Sequence, residues 1–102
     1  MNKRLKIYIL GSGSLGRLIV DIIESGKAYS VGGFFDDNYP DIRKVLNYPI
    51  IGKISDINVK SNPNLAIGIG EPKYRKEMFE KIIPRGYKFQ TFLFDILALQ
   101  FR

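Results

Sequence analysis

The sequence predicts an α/β fold, a Rossmann-like three-layer domain with a mostly parallel sheet. Three observations carry that reading. An apolar run, Leu5–Leu10, breaks into Gly11-Ser12-Gly13-Ser14-Leu15-Gly16, and a helical pattern follows at once. Acids at Asp36 and Asp37 then close a second strand-like stretch, with Asp36 twenty residues past Gly16. A third short apolar run, Leu65–Gly70, opens a second helical pattern. Strand, glycine loop and helix in that order form the G-x-G-x-x-G fingerprint of a dinucleotide-binding βαβ unit, and strands alternating with helices build parallel sheets.

Each glycine of the loop has a physical role. Gly11 permits a tight turn, Gly13 lets a pyrophosphate approach the backbone, and Gly16 lets the helix lie close to the strand. The amides of the helix start, at the positive end of its dipole, favour phosphates. Leu15, Leu18, Ile19, Ile22 and Ile23 recur at i, i+3, i+4, i+7 and i+8, one face of an amphipathic helix that packs on the sheet. Ser25-Gly26 stops that helix.

Ser30–Phe35 reads as the second strand. One of Asp36 and Asp37 then stands where an acid accepts hydrogen bonds from ribose hydroxyls; alternatively Asp36-Asp37-Asn38 is a turn cluster before Pro40. The stretch from Asn38 to Val45 is polar, with no helical period. Tyr48–Gly52 is a short extended piece, and Ile54–Ile57 allows about one helical turn. Asn62-Pro63-Asn64 delivers Leu65–Gly70, a buried parallel strand whose Gly68 and Gly70 suggest close backbone approach. Pro72 suits the first turn of a second helix, with Tyr74, Met78, Phe79, Ile82 and Ile83 as its apolar face and Pro84-Arg85-Gly86 as its end. Tyr87–Leu93 has strand-like composition. The expected division is a domain over residues 1–93 and an apolar C-terminal segment over 94–102. In such sheets ligands bind beyond the strand carboxyl ends, where strand order reverses. The stretches Gly11–Gly16, Asp36–Asn38 and Gly68–Arg75 are expected to meet there.

Composition narrows the function. The chain has 102 residues, 45% of them hydrophobic and 25% charged, as in one ordinary globular domain. No run is long enough to span a membrane, and the basic start lacks the apolar core and cleavage site of a secretory leader. The absence of cysteine fits a reducing cytoplasm. Histidine is absent as well, which removes the usual neutral-pH base and two common metal ligands. The net charge of +6 favours anionic ligands. Lysines and arginines are nonetheless scattered among acids, without the basic, aromatic-interleaved run of a nucleic-acid surface.

Four segments in order, I-L-G-S-G-S-L-G-R-L-I-V-D-I-I, V-G-G-F-F-D-D-N, Y-P-I-I-G-K-I-S-D-I and I-G-I-G-E-P-K-Y-R-K-E-M, resemble the N-terminal domain of bacterial sugar O- and N-acetyltransferases of the PglD-like and sialic-acid O-acetyltransferase type. The resemblance runs from about Leu5 to Thr91. It implies a module that binds a UDP-linked amino sugar, with Gly11, Ser12, Gly13, Ser14, Leu15 and Gly16 around the diphosphate and Arg17 as a nearby basic residue. Asp36 and Asp37 match an acidic pair near the uridine, and Gly70, Glu71 and Arg75 match a further binding stretch. For Arg75 a solvated helix face is the alternative, and for Glu71 a cap on the helix at Pro72. Leu15 replaces a histidine that the family often carries.

In relatives a left-handed β-helix of hexapeptide repeats follows, binding acetyl-CoA and supplying the catalytic histidine. This sequence reads Phe92–Leu99 instead, so no cofactor is expected in this domain and acetyl transfer by it alone is not expected. A truncated or frameshifted gene and a stand-alone module each fit that ending. Alternative readings are an NAD-binding redox or regulatory module and a nucleotide-binding fragment of a UDP-sugar dehydratase-like protein. No Tyr-x-x-x-Lys pair supports the redox reading. Phe94, Ile96, Leu97, Leu99 and Phe101 either cover the domain's own sheet edge or serve self-association or a partner.

Overall fold

The computed structural model describes residues 4–86. The strand expected over Tyr87–Leu93 and the apolar segment beyond it lie outside the described residues. Strand β1 (Leu5–Leu10) leads into helix α1 (Ser14–Ser25) and strand β2 (Tyr29–Phe35). A short hairpin follows, β3 (Lys44–Val45) and β4 (Tyr48–Gly52), then two 3₁₀ turns at Ile54–Asp56 and Val59–Ser61. Strand β5 (Asn64–Ile67) and helix α2 (Pro72–Ile82) complete the unit, with a 3₁₀ turn over Ile83–Arg85.

The sheet order is β3-β4-β2-β1-β5. Strand β1 runs parallel to β2 on one side and to β5 on the other, and β4 is parallel to β2. Among the described strands only β3, paired with β4, is antiparallel. The chain therefore winds outward from β1 through β2 to β4, then crosses back to place β5 against the far side of β1. The reversal falls at the carboxyl end of β1, where the glycine loop sits, and this is the position at which doubly wound sheets bind ligands.

Both sheet faces are covered, as the uninterrupted apolar character of the strands requires. On one face Ile19, Val20 and Ile23 of α1 pack on Ile7, Ile9, Phe34, Ile50 and Ala66. On the other, Met78 and Ile82 of α2 join Ile54 and Ile57 of the crossover against Leu10, Phe35, Leu65 and Ile67. These are the three layers the sequence implied.

The helix faces are rotated from expectation. Leu18 is 48% exposed, and Leu15 and Ile22 are half-buried, while Gly16 and Val20 lie in the core. The cause is Gly16. A Cβ there would lie 2.2 Å from the carbonyl oxygen of Gly11, and one on Gly68 would lie 2.7 Å from the Cα of Gly16. Backbone touches backbone across these glycines, so α1 approaches the sheet along its Gly16–Val20–Ile23 line and turns Leu18 outward. On α2, Tyr74 leaves the expected apolar face and is 58% exposed.

The hairpin is a second departure. The polar stretch before Tyr48 contains β3, joined to β4 through Leu46 and Asn47, both at positive φ (50° and 67°). Positive φ at both central residues defines a type I′ turn, whose twist suits a two-residue hairpin. With leucine rather than glycine or asparagine at its first position, the turn carries only half its usual signature.

Candidate functional site

The carboxyl ends of β1, β2 and β5 frame an open cavity of about 830 Å³. Its floor is the glycine loop. The backbone ladder continues into it: the Gly11 N–H donates to the Phe35 carbonyl at 2.8 Å, and the Gly68 N–H donates to the Leu10 carbonyl at 2.7 Å. Gly11 takes φ +91° to make the turn, and its α-carbon faces Ile69 so closely that a Cβ would stand 2.7 Å from that side chain. At Gly13 a Cβ would meet nothing within 4 Å. The tight-turn and close-packing roles read for Gly11 and Gly16 therefore hold, whereas Gly13 faces open space.

Gly13 is the N-cap of α1, with no side-chain cap bond and no acid in the first helical turn. The orphan amides of the helix start are thus left without an anionic partner from the described residues, beside a cavity that Gly13, Ser14 and Leu15 line.

Asp36 braces the loop from the end of β2. Its Oδ2 accepts from the Ser12 N–H at 3.0 Å and from the Ser12 hydroxyl at 2.7 Å, and its Oδ1 accepts from the Asn38 N–H at 2.8 Å. Ser12 is only 8% exposed, so these bonds satisfy a nearly buried polar residue. The turn reading of this acid is realised, since one oxygen makes an Asx-type turn, while the other oxygen fixes the glycine loop.

Asp37 reaches across to the other wall. Its Oδ1 accepts from the Ile54 N–H at 3.1 Å, and its Oδ2 pairs with the Lys81 ammonium at 2.8 Å. Burial pushes the Asp37 carboxyl upward, but the Lys81 hydrogen bond, the Ile54 amide and the Lys81 and Lys53 charges outweigh it and hold it below the usual carboxylate value.

The third wall is Gly68–Glu71 and one face of α2. Glu71 accepts from the Tyr74 N–H at 3.0 Å, which caps α2 at its third residue. Tyr74, Glu77, Met78 and Lys81, spaced at i, i+3, i+4 and i+7, present the helix to the cavity.

The structure thus brings together Gly11, Ser12, Gly13, Ser14, Leu15, Asp36, Asp37, Gly70 and Glu71 around one cavity. Gly16, Arg17 and Arg75 stand outside its lining. Gly16 is buried under the loop, and the Arg17 Nε donates to the Ser12 carbonyl at 3.4 Å. Arg75 donates to the Ile69 carbonyl at 3.3 Å and lies over the Phe79 ring, 5.8 Å from its centroid. Glu77 and Lys81 also line the cavity, although the sequence alone does not mark them as site residues. The i+3 and i+7 spacing from Tyr74 was the available signal. Among the described residues no cluster of three or more histidine, cysteine or acidic side chains is placed to hold a metal ion, and no helix is long and apolar enough to cross a membrane.

Fold and site together define a Rossmann-like α/β domain with a glycine-loop cavity at the switch point of its sheet. The model of the PglD N-terminal domain family matches residues 6–82, and the chain belongs to that family. Among solved structures it is similar to the acetyltransferase domain of PglB from Neisseria gonorrhoeae FA1090 in complex with acetyl coenzyme A, with a TM-score of 0.64 at 19% identity over 84% of this chain and 42% of that one. A second structure of that acetyltransferase domain gives 0.64 at 20% identity, over 81% of this chain and 41% of the other. At such identities the likeness is one of fold, and the chain spans about two fifths of each structure. A search of curated proteins finds no match.

Proposed function

We propose that this chain is the nucleotide-sugar-binding module of a sugar acetyltransferase, taking a UDP-linked amino sugar or a related nucleotide sugar in the cavity at the switch point. The observation that carries this reading is the vacant approach at Gly13, beside a helix start left without a cap. That combination suits a diphosphate laid against backbone amides. The Asp36 brace holds the loop in position for it. Asp36 accepts three hydrogen bonds from Ser12 and Asn38, whereas Asp37 accepts from the Ile54 N–H and Lys81 only and its side chain is 47% exposed, so Asp37 is the acid better placed to accept from ligand hydroxyls.

The role proposed is binding rather than chemistry. The sequence contains neither histidine nor cysteine, and acetyl-CoA is assigned to a separate catalytic domain, as the family resemblance implies. The same cavity position serves dinucleotides in other Rossmann-like proteins, so NAD is the comparison that matters. Isothermal calorimetry with UDP, UDP-N-acetylglucosamine, NAD and acetyl-CoA tests the assignment. Saturable binding of the two uridine nucleotides, with neither NAD nor acetyl-CoA bound, is expected. Binding of NAD without measurable affinity for UDP would overturn it.

A further inference from the structure

We infer that Lys81 is the side-chain cation that meets the ligand's phosphates, held in readiness by Asp37. The inference rests on the diphosphate reading of the cavity given above. Its starting point is charge. Among the described residues the cavity is lined by four carboxylates, Asp36, Asp37, Glu71 and Glu77, against the single ammonium of Lys81. A diphosphate entering an acidic cavity gains from the loop amides but is repelled by those carboxylates, and one correctly placed cation offsets much of that repulsion. Arg17 of α1 and Arg75 of α2 stand outside the cavity lining, and each donates to a backbone carbonyl, of Ser12 and of Ile69 respectively.

Lys81 has the position and the valence to do so. Asp36, which touches Ser12 of the glycine loop, is the immediate chain neighbour of Asp37, and Asp37 holds the ammonium at 2.8 Å. An ammonium has three protons, so Lys81 can keep Asp37 as one acceptor and still donate to a phosphate oxygen. Asp37 is itself fixed by the Ile54 N–H at 3.1 Å, so it serves as a positioning residue for the ammonium. The side chain of Lys81 is 51% exposed, which leaves it open to an incoming ligand.

The test is calorimetric titration of the full chain with UDP and with uridine, at low and high salt. The variants are Lys81→Gln, Lys81→Arg and, as a control, Lys76→Gln. Lys76 lies on the same helix outside the cavity lining, 4.0 Å from Glu80, with its side chain 80% exposed. Circular dichroism verifies that each variant is folded.

Lys81→Gln is expected to weaken UDP binding about five- to tenfold, the scale of one charge-assisted hydrogen bond at a partly exposed site. Its UDP affinity should also depend less on salt than that of the wild type. Uridine binding should be unchanged, Lys81→Arg should retain most of the UDP affinity, and Lys76→Gln should match the wild type. Two results would overturn the inference while leaving the binding module intact: UDP affinity unaffected by Lys81→Gln, or equal losses for UDP and uridine. A wild-type chain that binds neither would instead refute the module reading on which the inference rests.

Discussion

Replacing Gly16 by alanine and, separately, Gly13 by alanine separates the packing role of the glycine loop from its binding role. At Gly16 the new Cβ would stand 2.2 Å from the Gly11 carbonyl oxygen and 3.1 Å from its carbon. Relief requires α1 to withdraw by about an ångström, given ordinary contact distances near the van der Waals limit. Withdrawal loosens Ile19, Val20 and Ile23 from the sheet, and these are 1–3% exposed in the native packing. Overpacking of this kind costs about 1–3 kcal/mol, and the loosened helix contacts add to it. The gain in helix propensity from glycine to alanine returns about 1 kcal/mol. A net loss of about 2 kcal/mol is therefore expected for Gly16→Ala.

At Gly13 the Cβ enters open space, so only the weaker N-cap preference of alanine counts, about 0.5–1 kcal/mol, partly offset by reduced chain entropy in the unfolded state. Urea denaturation followed by circular dichroism reads both. Gly16→Ala should lower the midpoint markedly at an unchanged slope, and Gly13→Ala should stay near the wild type. Gly13→Ala should nevertheless lose UDP binding in calorimetry, because its methyl group occupies the approach to the backbone. Equal midpoints for the two variants would refute the close-packing argument, and undiminished UDP binding by Gly13→Ala would refute the cradle.

Asp36→Ala should destabilise the fold by about 2 kcal/mol in the same denaturation assay, since it removes the acceptor of two Ser12 bonds and leaves a nearly buried hydroxyl unpaired. Glu71→Ala removes the cap of α2 and should cost about 1 kcal/mol, read as a lower urea midpoint. Asp37 has a lowered carboxyl pKa, so its contribution is present above the unfolded-state value and is lost as pH falls through the depressed one. The difference in stability between the wild type and Asp37→Asn should accordingly shrink as urea midpoints are followed down below about pH 4. Tyr48 shifts the other way, raised by its 2.9 Å hydrogen bond to Glu24, by burial and by the Glu24 charge. Spectrophotometric titration should find Tyr48 ionising above the ordinary tyrosine value, and Glu24→Gln should bring it down.

The β1 loop and the parallel strands β1, β2 and β5 were legible because each signal was local. Gly11, Gly13 and Gly16 mark turn, open approach and close packing within six residues, and the apolar runs at Leu5 and Leu65 need no partner to be recognised as buried strands. The rotation of α1 was not legible, because the Leu15–Ile23 stripe maximises apolar area. The helix instead obeys backbone contacts of Gly16 with Gly11 in the same loop and with Gly68, which lies far along the chain. The β3–β4 hairpin escaped for a different reason. Its turn places Leu46 at positive φ, against the usual preference for glycine or asparagine.

For the site, the three stretches expected to converge do so, but the division of labour within them depends on geometry. The sequence offers Asp36 and Asp37 as equals, and only the fold turns the first to Ser12 and the second to Lys81. Lys81 itself reads as a solvated helix residue until α2 is seen to lie along the cavity wall.

The central claim is that a nucleotide sugar lies with its diphosphate against the start of α1. Titration of ¹⁵N-labelled protein with UDP-N-acetylglucosamine, followed by amide chemical shifts, tests it most directly. Saturable shifts are expected at Gly13, Ser14, Leu15 and Asp37, with Leu46 and Asn47 at the remote hairpin unmoved. Saturable shifts elsewhere that leave the Gly13–Leu15 amides in place would contradict it.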